Sequence, residues 1–462
     1  QKQSVRRFLD AEDYDLLDHF EKNAEEIKNK IAKRSQWVLV DDMPYLIAIG
    51  RNSKLDLDKE YEAIADLYEV KEEKRSVPVP IQAFFGELTD KPIRRKNYPF
   101  ALLNKKVNLD QLLAVHNGMK YPLTYVQGPP GTGKTSTIIN TITTAFFNDR
   151  TVLFSSYNNH PIDSVFEELC SLRSQRYGRI PFPVVRLGNN EKVKEALEYM
   201  KAIYHEIQNI RILEEQLERN KQKEMKKAQL LSAQLSQYEE KLELEERQLA
   251  LNKLVETQKK HLNFYVDLYD RQMRQLKERS DQIGEVSIEE VKKLLPQEEQ
   301  YMQNYFYFQS ARLIKRLDEP KNQELKGIIL SDDDNRLERF QKYLSEEKNV
   351  EQFLRIFPIV ITTCISAQKI GPAKQHFDMT ILDEASQCNT AVSLVPIIRG
   401  KNLMLVGDPQ QLNPVITLNP KTNEILKKMY FVTDEYDYIK NSIYKTYLAC
   451  DSVSDEILLS HH

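Results

Sequence analysis

Short apolar runs that end at turns recur along this chain. Three of them are rich in apolar and β-branched residues, as buried strands are: Leu123–Val126, Met379–Leu382 and Leu403–Val406. The first run leads through a turn into residues 135–147, whose apolar positions share one stripe of a helix: Ile138, Ile139, Ile142 and Phe146. The pattern predicts a strand, a turn and a helix in that order, the unit from which α/β folds are built.

The region between the first and second runs has a helical spacing over a much longer stretch. Residues 191–283 contain neither Gly nor Pro. A 3-4 register from residue 203 to residue 249 forms the seam of a coiled coil, with apolar residues or Ala at most positions: Ile203, Ile207, Ile210, Leu217, Ala228, Leu231, Leu235, Tyr238, Leu242 and Leu249. A second stripe follows: Val255, Leu262, Val266, Tyr269, Met273 and Leu276. One helix over this stretch would be about 140 Å long at 1.5 Å per residue, so we predict an antiparallel hairpin.

The flanking regions carry weaker patterns. Ser287–Glu290 resembles a capping box that opens another helix, and residues 336–357 continue the helical spacing. Near the N-terminus, Val5–Lys33 has a helical pattern, and residues 37–40 and 45–49 predict a hairpin of two strands. The basic cluster Arg94–Lys96 is more typical of a solvated loop than of a phosphate site.

Composition narrows the class of protein. With 462 residues, 41% hydrophobic and 29% charged, the chain is long enough for two or three domains. It has no apolar run of about 18 residues, so we expect no membrane partner. The chain begins at Gln1 without Met or a secretory signal, which indicates a fragment. Its four Cys lack Cys-x-x-Cys spacing, which argues against zinc and disulfides and favours a cytoplasmic (intracellular) location. The net charge of −3 requires any nucleic-acid path to be local.

The turn after the first run, Gly128–Thr135, matches the phosphate-binding pattern Gly-x-x-x-x-Gly-Lys-Thr. Without side chains at Gly131 and Gly133, backbone N–H groups can turn inward to phosphate oxygens, and the following helix adds the positive end of its dipole. Lys134 supplies a charge for the β- and γ-phosphates, and Thr135 offers a hydroxyl to Mg²⁺. An ordinary Gly-Pro turn would not need Lys-Thr at its end, so we predict a site for ATP and Mg²⁺.

The other two apolar runs end in groups that complete such a site. Asp383 can hold Mg²⁺, and Glu384 can orient the attacking water as a base. Gln411, in the turn Gly407–Pro414, can reach a terminal phosphate and report whether it is present. Alone, an acidic pair after a strand is usually a solvated strand end, and Gln411 would be an ordinary loop residue. The phosphate loop in the same chain favours the site.

These motifs together resemble a known family. In order, Gln127–Thr135, Asp383–Gln387 and Gly407–Pro414 look like motifs I, II and III of superfamily 1 helicases, and Asp-Glu-Ala-Ser-Gln is similar to the up-frameshift-like branch. Further stretches resemble the Q motif that reads adenine, motif Ia, motif Ib and motif Ic: Asn108–Gln111, Val152–Asn159, Val184–Gly188 and Ile361–Cys364. Motif Ia departs from the commoner Pro-Ser-Asn, because Tyr157, Asn158 and Asn159 stand there.

The resemblance implies an α/β fold, a RecA-like P-loop NTPase domain with a parallel sheet. That domain would occupy residues 101–190 and 350–450, interrupted by a helical, coiled-coil insertion at 191–349. Residues 1–100 would form a small accessory region of helix and strands. Residues 451–462 would begin the connection to a second RecA-like domain, which is absent; the terminal His461 and His462 are native or the start of a tag.

The resemblance also implies roles for single residues. Those with catalytic roles are Lys134, Asp383, Glu384 and Gln411. Nucleotide contacts fall on Gln111, Gly128, Pro129, Pro130, Gly131, Thr132, Gly133, Lys134, Thr135, Ser136, Gln387 and Asp408. Mg²⁺ would be held by Thr135 and Asp383. Contacts with nucleic acid fall on Asn159, Arg186, Thr362 and Thr363.

The function implied is an ATP-dependent helicase or translocase that moves, 5′-to-3′ by family, on single-stranded DNA or RNA. This fragment would bind nucleotide but hydrolyse it poorly alone, because the second domain supplies the arginines that stabilise the transition state. The arm is a structural spacer, or it grips nucleic acid or a protein partner. Two alternatives remain: a coiled-coil structural ATPase, whose Leu-Ser-Gly-Gly-Gln signature is missing, and a nucleotide-dependent scaffold without unwinding activity.

Overall fold

The computed structural model describes residues 9–19, 22–34, 56–69, 77–92, 97–102, 106–212, 214–258, 266–295 and 299–459. They belong to two compact units, residues 1–56 and residues 57–462. The predicted strands at 37–40 and 45–49 and the cluster Arg94–Lys96 lie outside the described residues.

The first unit contains two helical segments. A 3₁₀-helix, Ala11–His19, precedes helix α1, Ala24–Arg34. Between them the amides of Lys22 and Asn23 both bond to the carbonyl of His19. A small buried cluster stabilises this unit: Leu9, Leu17, Ile27 and Ile31. The prediction of one helix from residue 5 to residue 33 is therefore wrong, because a turn interrupts the segment.

The second unit is built on a parallel sheet. The strands among the described residues, in order, are Leu123–Gln127 (β1), Val152–Ser156 (β2), Arg173–Ser174 (β3), Gly178–Arg179 (β4), Val184–Arg186 (β5), Ile359–Thr363 (β6), Phe377–Asp383 (β7), Gly400–Gly407 (β8) and Glu456–Leu458 (β9). Seven of them form one sheet in the order β5-β6-β2-β7-β8-β1-β9, with every pair parallel. β3 and β4 form a separate antiparallel pair.

Helices cover both faces of the sheet. The described helices of this unit, whether on the sheet or away from it, are Asp58–Glu69 (α2), Val79–Phe84 (α3), Leu109–Lys120 (α4), Lys134–Phe147 (α5), Asn159–Cys170 (α6), Asn190–Glu206 (α7), Glu214–Gln258 (α8), Val266–Ile283 (α9), Ile288–Leu294 (α10), Glu299–Lys315 (α11), Gln323–Leu330 (α12), Arg336–Ser345 (α13), Glu347–Leu354 (α14), Thr390–Ile397 (α15), Pro420–Met429 (α16) and Ile443–Cys450 (α17). Because successive side chains of a strand point to opposite faces, Tyr125 lies in one core cluster and Val126 in another. Burial on both faces explains why these strands are continuous apolar runs. The structure confirms the predicted α/β fold with a parallel sheet.

The predicted coiled-coil seam is broken. Helix α7 ends at Glu206, and Ile203 and Ile207 belong to the core cluster beside the sheet. The seam resumes in α8, where Leu231 and Leu235 also pack into a core cluster of the domain. One continuous seam from residue 203 to residue 249 is therefore wrong. A 3-4 spacing identifies an apolar helix face, but it does not say whether a partner helix or the domain core covers that face.

The predicted antiparallel hairpin is confirmed further along, in α8 and α9. Arg279 Nε donates to Glu240 Oε1 at 2.7 Å, and the Tyr269 hydroxyl donates to Asn252 Oδ1 at 2.6 Å. As the residue number increases along α8, the number of the partner residue on α9 decreases, so the two helices are antiparallel. After the hairpin, Ser287 caps α10 by accepting from the amide of Glu289 at 3.2 Å. We call α8 and α9 the arm.

Helix α2 is fastened to the sheet domain by a buried ion pair. Arg399, just before β8, donates to both carboxylate oxygens of Glu60 at 2.6 and 2.8 Å. Both side chains are buried, and Arg399 also donates to three backbone carbonyls. The second unit therefore includes α2, although it lies within the predicted accessory region of residues 1–100. Among the described residues, no helix is both long and apolar enough to cross a membrane.

Candidate nucleotide site

Three adjacent strands end at the same edge of the sheet. β1 ends at Gln127, β7 at Asp383 and β8 at Gly407, in the strand order β7-β8-β1. The loops that follow are joined, because the amide of Gly128 donates to the carbonyl of Gly407 at 2.9 Å. In open parallel sheets, ligands bind in the crevice outside the carboxyl ends of the strands. The sheet therefore brings the three predicted motifs to one place.

The loop Gly128–Thr135 depends on its glycines. Gly131 and Gly133 have φ values of 81° and 79°, the left-handed region that glycine adopts without strain. At Gly128, an added Cβ would lie 2.3 Å from Cγ of Lys134. Any larger residue there would displace the lysine side chain. The loop therefore keeps open a cradle at the start of α5.

The polar groups of this cradle fit a nucleotide and a cation. The Thr135 side chain is exposed at the first turn of α5. Ser136 Oγ is buried and has no hydrogen-bond partner among the described residues. Thr132 Oγ1 donates to the carbonyl of Pro129 at 2.8 Å, which shapes the loop itself. Backbone amides at a helix start, a hydroxyl and a carboxylate are the donor and acceptor set that phosphate and Mg²⁺ use.

Asp383 and Glu384 differ sharply in environment. The side chain of Asp383 is 5% exposed, and burial, followed by the charge of Glu384, raises the pKa of its carboxyl from 3.8 to about 7. Its Oδ1 accepts from the amide of Glu384 at 2.8 Å. Glu384 has a φ of 51°, an uncommon conformation for a residue with a side chain. Such strain is concentrated at functional sites.

The carboxylate of Glu384 reaches the phosphate loop. Lys134 Nζ lies 3.2 Å from Glu384 Oε1, so the two motifs form an ion pair across the site. Gln387 Nε2 lies 3.4 Å from Glu384 Oε2 and 3.5 Å from Gln411 Oε1. Lys134, Glu384, Gln387 and Gln411 thus form a continuous polar chain. The sequence did not indicate the ion pair, since the two residues are 250 positions apart.

Asp408 and Ser386 connect the loops after β7 and β8. The amide of Asp408 donates to Ser386 Oγ at 3.3 Å, and Asp408 Oδ1 accepts from the amide of Gln410 at 3.0 Å. The carboxylate of Asp408 is therefore engaged with its own loop, and a direct contact with nucleotide stays a prediction. Ser386 was missed as a contributor, although it lies inside the motif that contains Asp383 and Glu384.

Gln111 contacts the phosphate loop. Asn108 and Gln111 form a reciprocal capping box at the start of α4. Gln111 Nε2 also donates to the carbonyl of Thr132 at 2.9 Å, and the side chain is only 1% exposed. The structure thus gives Gln111 a role in holding the loop, and its predicted contact with adenine stays a prediction.

Of the four residues predicted to contact nucleic acid, Arg186 and Thr362 are buried, whereas Asn159 and Thr363 are not. Arg186 is 3% exposed, and its guanidinium donates to Asp163 Oδ1 at 3.0 Å and Asn159 Oδ1 at 2.8 Å. Thr362 is fully buried, whereas Thr363 Oγ1 donates to Ser366 Oγ at 2.9 Å at the end of β6. This geometry does not support direct contacts by Arg186 and Thr362, because neither side chain reaches the surface. Asn159 and Thr363 stay candidates.

The fold and the site define a nucleotide-binding domain of the P-loop class. The chain belongs to the family described as AAA domain, whose model matches residues 106–418. An uncharacterised ATP-dependent helicase of Methanocaldococcus jannaschii is 25% identical over 351 residues, 75% of this chain and 42% of that protein.

Two other relatives match over shorter segments. The DNA replication ATP-dependent helicase/nuclease of Mus musculus is 38% identical over 68 residues, 15% of this chain and 6% of the relative. The ATP-dependent helicase upf1 of Schizosaccharomyces pombe is 34% identical over 67 residues, 14% of this chain and 7% of the relative. The chain thus spans less than half the length of these relatives. The similarities confirm the resemblance to superfamily 1 helicases and support an enzyme of the ATPase and helicase class.

Proposed function

We propose that this chain binds and hydrolyses ATP as the first motor domain of a helicase or translocase of the up-frameshift-like type. The observation that carries the proposal is the convergence of Lys134, Asp383, Glu384 and Gln411 at one edge of the sheet. The names of the three relatives described above, each of which contains the words ATP-dependent helicase, agree with it.

The ion pair suggests how nucleotide binding prepares the base. Phosphate oxygens of ATP would attract Lys134 Nζ from Glu384, which lies 3.2 Å away. Glu384 would then accept a proton from the attacking water as the new P–O bond forms and the bond to the ADP oxygen breaks. Gln411 lies one hydrogen bond beyond Gln387, where it would sense the terminal phosphate.

Mg²⁺ fits the same residues. Thr135 and Asp383 would hold the ion, which supplies positive charge to the phosphate oxygens when bound. Asp383 is suited to this role, because its buried carboxyl gains a cationic neighbour and would ionise more readily. Glu384 remains the group that handles the proton.

The finer features are proposals that rest on the resemblance. The substrate is single-stranded DNA or RNA, the direction is 5′-to-3′, and the location is intracellular. The groove between α8 and α9 is lined by apolar and polar side chains, Leu251, Leu254, Leu276 and Arg279 among them, which suits a protein partner. The resemblance also implies that a second RecA-like domain supplies the arginines that stabilise the transition state.

The test is ATP hydrolysis, in the presence of single-stranded DNA or RNA, by a protein that contains this chain together with a second RecA-like domain. We expect one of the polymers to stimulate turnover, and Glu384→Gln to abolish the stimulated rate while nucleotide binding is retained. Equal rates with and without both polymers would contradict a helicase or translocase. They would favour the second candidate, a coiled-coil ATPase or scaffold, which the long arm supports.

A further inference from the structure

Helix α4 contacts the phosphate loop at one end and the arm at the other. Near its start, Gln111 Nε2 donates to the carbonyl of Thr132 at 2.9 Å. Its last residue, Lys120, donates to Ser232 of α8 at 2.7 Å. At 1.5 Å per residue, these two contacts are separated by about 14 Å along the helix. One rigid element therefore links the nucleotide loop with the arm.

The contact between α4 and the arm is polar and buried. The side chains of Ser232 and Glu239 lie seven residues apart on one face of α8. Ser232 Oγ lies 2.8 Å from His116 Nε2, and Glu239 accepts from Asn117 Nδ2 at 2.8 Å. Glu239 Oε2 also accepts from the hydroxyl of Tyr121 at 3.2 Å. All these side chains are buried.

A third contact lies near the nucleotide end of α4. The hydroxyl of Tyr238 donates to Asp110 Oδ1 at 2.6 Å. Asp110 precedes Gln111, which holds the phosphate loop. The arm therefore contacts α4 near both of its ends.

Buried hydrogen bonds fix the position of α8 on α4 more tightly than apolar contacts do. Apolar side chains can slide past one another at small cost. A buried donor or acceptor that loses its partner is left without the hydrogen bonds that water would have given it, which is unfavourable. Networks of this kind specify one arrangement of the packed elements. A shift of the arm would therefore break several bonds or move α4.

We infer that Ser232, Tyr238 and Glu239 of the arm are positioning residues for the nucleotide loop. They hold α4, and α4 holds Thr132 through Gln111. Nucleotide affinity is thus coupled to the position of the arm on α4. Any change that displaces Ser232, Tyr238 and Glu239 from α4 should weaken nucleotide binding. This inference rests on the proposed function of the same site.

The test compares neighbouring glutamates on the arm. In Glu239→Gln the amide cannot accept hydrogen bonds at both positions. Glu240→Gln is the matched control, because Glu240 is one residue away and pairs with Arg279 inside the arm. We expect Glu239→Gln to raise the Kd for MgATPγS about fivefold or more, within the usual range of coupling between sites. Glu240→Gln should bind as the unaltered chain does.

Tyr238→Phe is the second variant, since it removes one hydroxyl from a half-buried ring and should fold. It should also raise the Kd, and hydrogen exchange should be faster in residues 106–135 for both Tyr238→Phe and Glu239→Gln at a temperature where all variants are folded. If Tyr238 and Glu239 contributed only to overall stability, hydrogen exchange in residues 106–135 would be the same in their variants as in Glu240→Gln.

The outcomes separate the inference from the proposed function. Tight binding by the unaltered chain, with weaker binding in Tyr238→Phe and Glu239→Gln only, supports coupling. Equal Kd values in all four proteins would overturn the inference and leave the proposed function intact. Failure of the unaltered chain to bind MgATPγS would overturn the proposed function, and the inference with it.

Discussion

At the scale of single residues, the site contains one buried carboxyl group, that of Asp383, and one that forms an ion pair, that of Glu384. Asp383 is buried with its pKa raised to about 7, whereas Glu384 reaches Lys134 across the loops. Burial makes Asp383 a costly anion until a cation arrives, and the ion pair with Lys134 holds the side chain of Glu384 beside the phosphate position. These two acids have different environments although they are adjacent in sequence.

The raised pKa of Asp383 predicts how stability depends on pH without divalent cations. The folded chain binds this proton more tightly than the unfolded chain does. Protonation of Asp383 therefore stabilises the folded state at low pH, and this stabilisation is lost as the pH rises toward 7. Asp383→Asn should therefore unfold at higher urea concentration than the unaltered chain at pH 8. The gain is up to about 4 kcal/mol, at 1.36 kcal/mol per pKa unit, and it should shrink progressively toward pH 4.

Asp437 provides a control, because its pKa is shifted in the opposite direction to that of Asp383. Burial acts to raise the pKa of this carboxyl, but hydrogen bonds from Lys427 and Asn423 lower it overall. Its stabilisation is therefore present at neutral pH and is lost as pH falls. Asp437→Asn should destabilise the chain at pH 8. A destabilising effect of Asp383→Asn at pH 8 would contradict the buried, proton-binding state assigned to Asp383.

At the scale of elements, the arm has a base and a distal part. Its base packs into the domain core through Leu231 and Leu235 and bonds to α4 through Ser232 and Glu239. Its distal part is an antiparallel pair of helices, with Asn252 opposite Tyr269. The two parts therefore have different consequences for the nucleotide site.

The distal part can be removed in a way that tests this division. Residues 248 and 272 lie close to one level of the hairpin, as the pairings of Glu240 with Arg279 and Asn252 with Tyr269 indicate. A short Gly-Ser linker in place of residues 249–271 should leave the domain folded and the Kd for MgATPγS within about twofold of the unaltered value, because sites without shared contacts act independently. Calorimetry would measure both quantities. A large loss of binding would place part of the nucleotide site on the distal arm.

At the scale of the whole molecule, the strands and the glycine loop could be predicted from the sequence, because each depends on residues that are close together in the chain. The strands before Gly128, Glu384 and Gly407 were recognisable, because apolar runs buried on both faces are distinctive. The glycine loop was recognisable because few residues tolerate a φ near 80°. Neither signal depends on distant partners.

Contacts between distant segments could not be predicted in the same way. The break between α7 and α8 follows from Ile203 and Ile207 packing into the core, which a 3-4 spacing alone does not reveal. The burial of Arg186 follows from its pairing with Asp163 and Asn159. The attachment of α8 to α4 joins residues more than a hundred positions apart. Tertiary packing decided each of these features.

The most direct measurement of the central claim is binding of MgATPγS to this chain with and without Lys134. Lys134→Ala removes the positive charge that faces Glu384 and the phosphate position. Lys428→Ala is the control, because Lys428 is an exposed lysine on α16. We expect saturable binding by the unaltered chain and by Lys428→Ala, and a Kd raised at least about tenfold in Lys134→Ala, as loss of a charge-assisted contact of about 1.4 kcal/mol or more requires. Equal binding by all three proteins would contradict a nucleotide site at Gly128–Thr135.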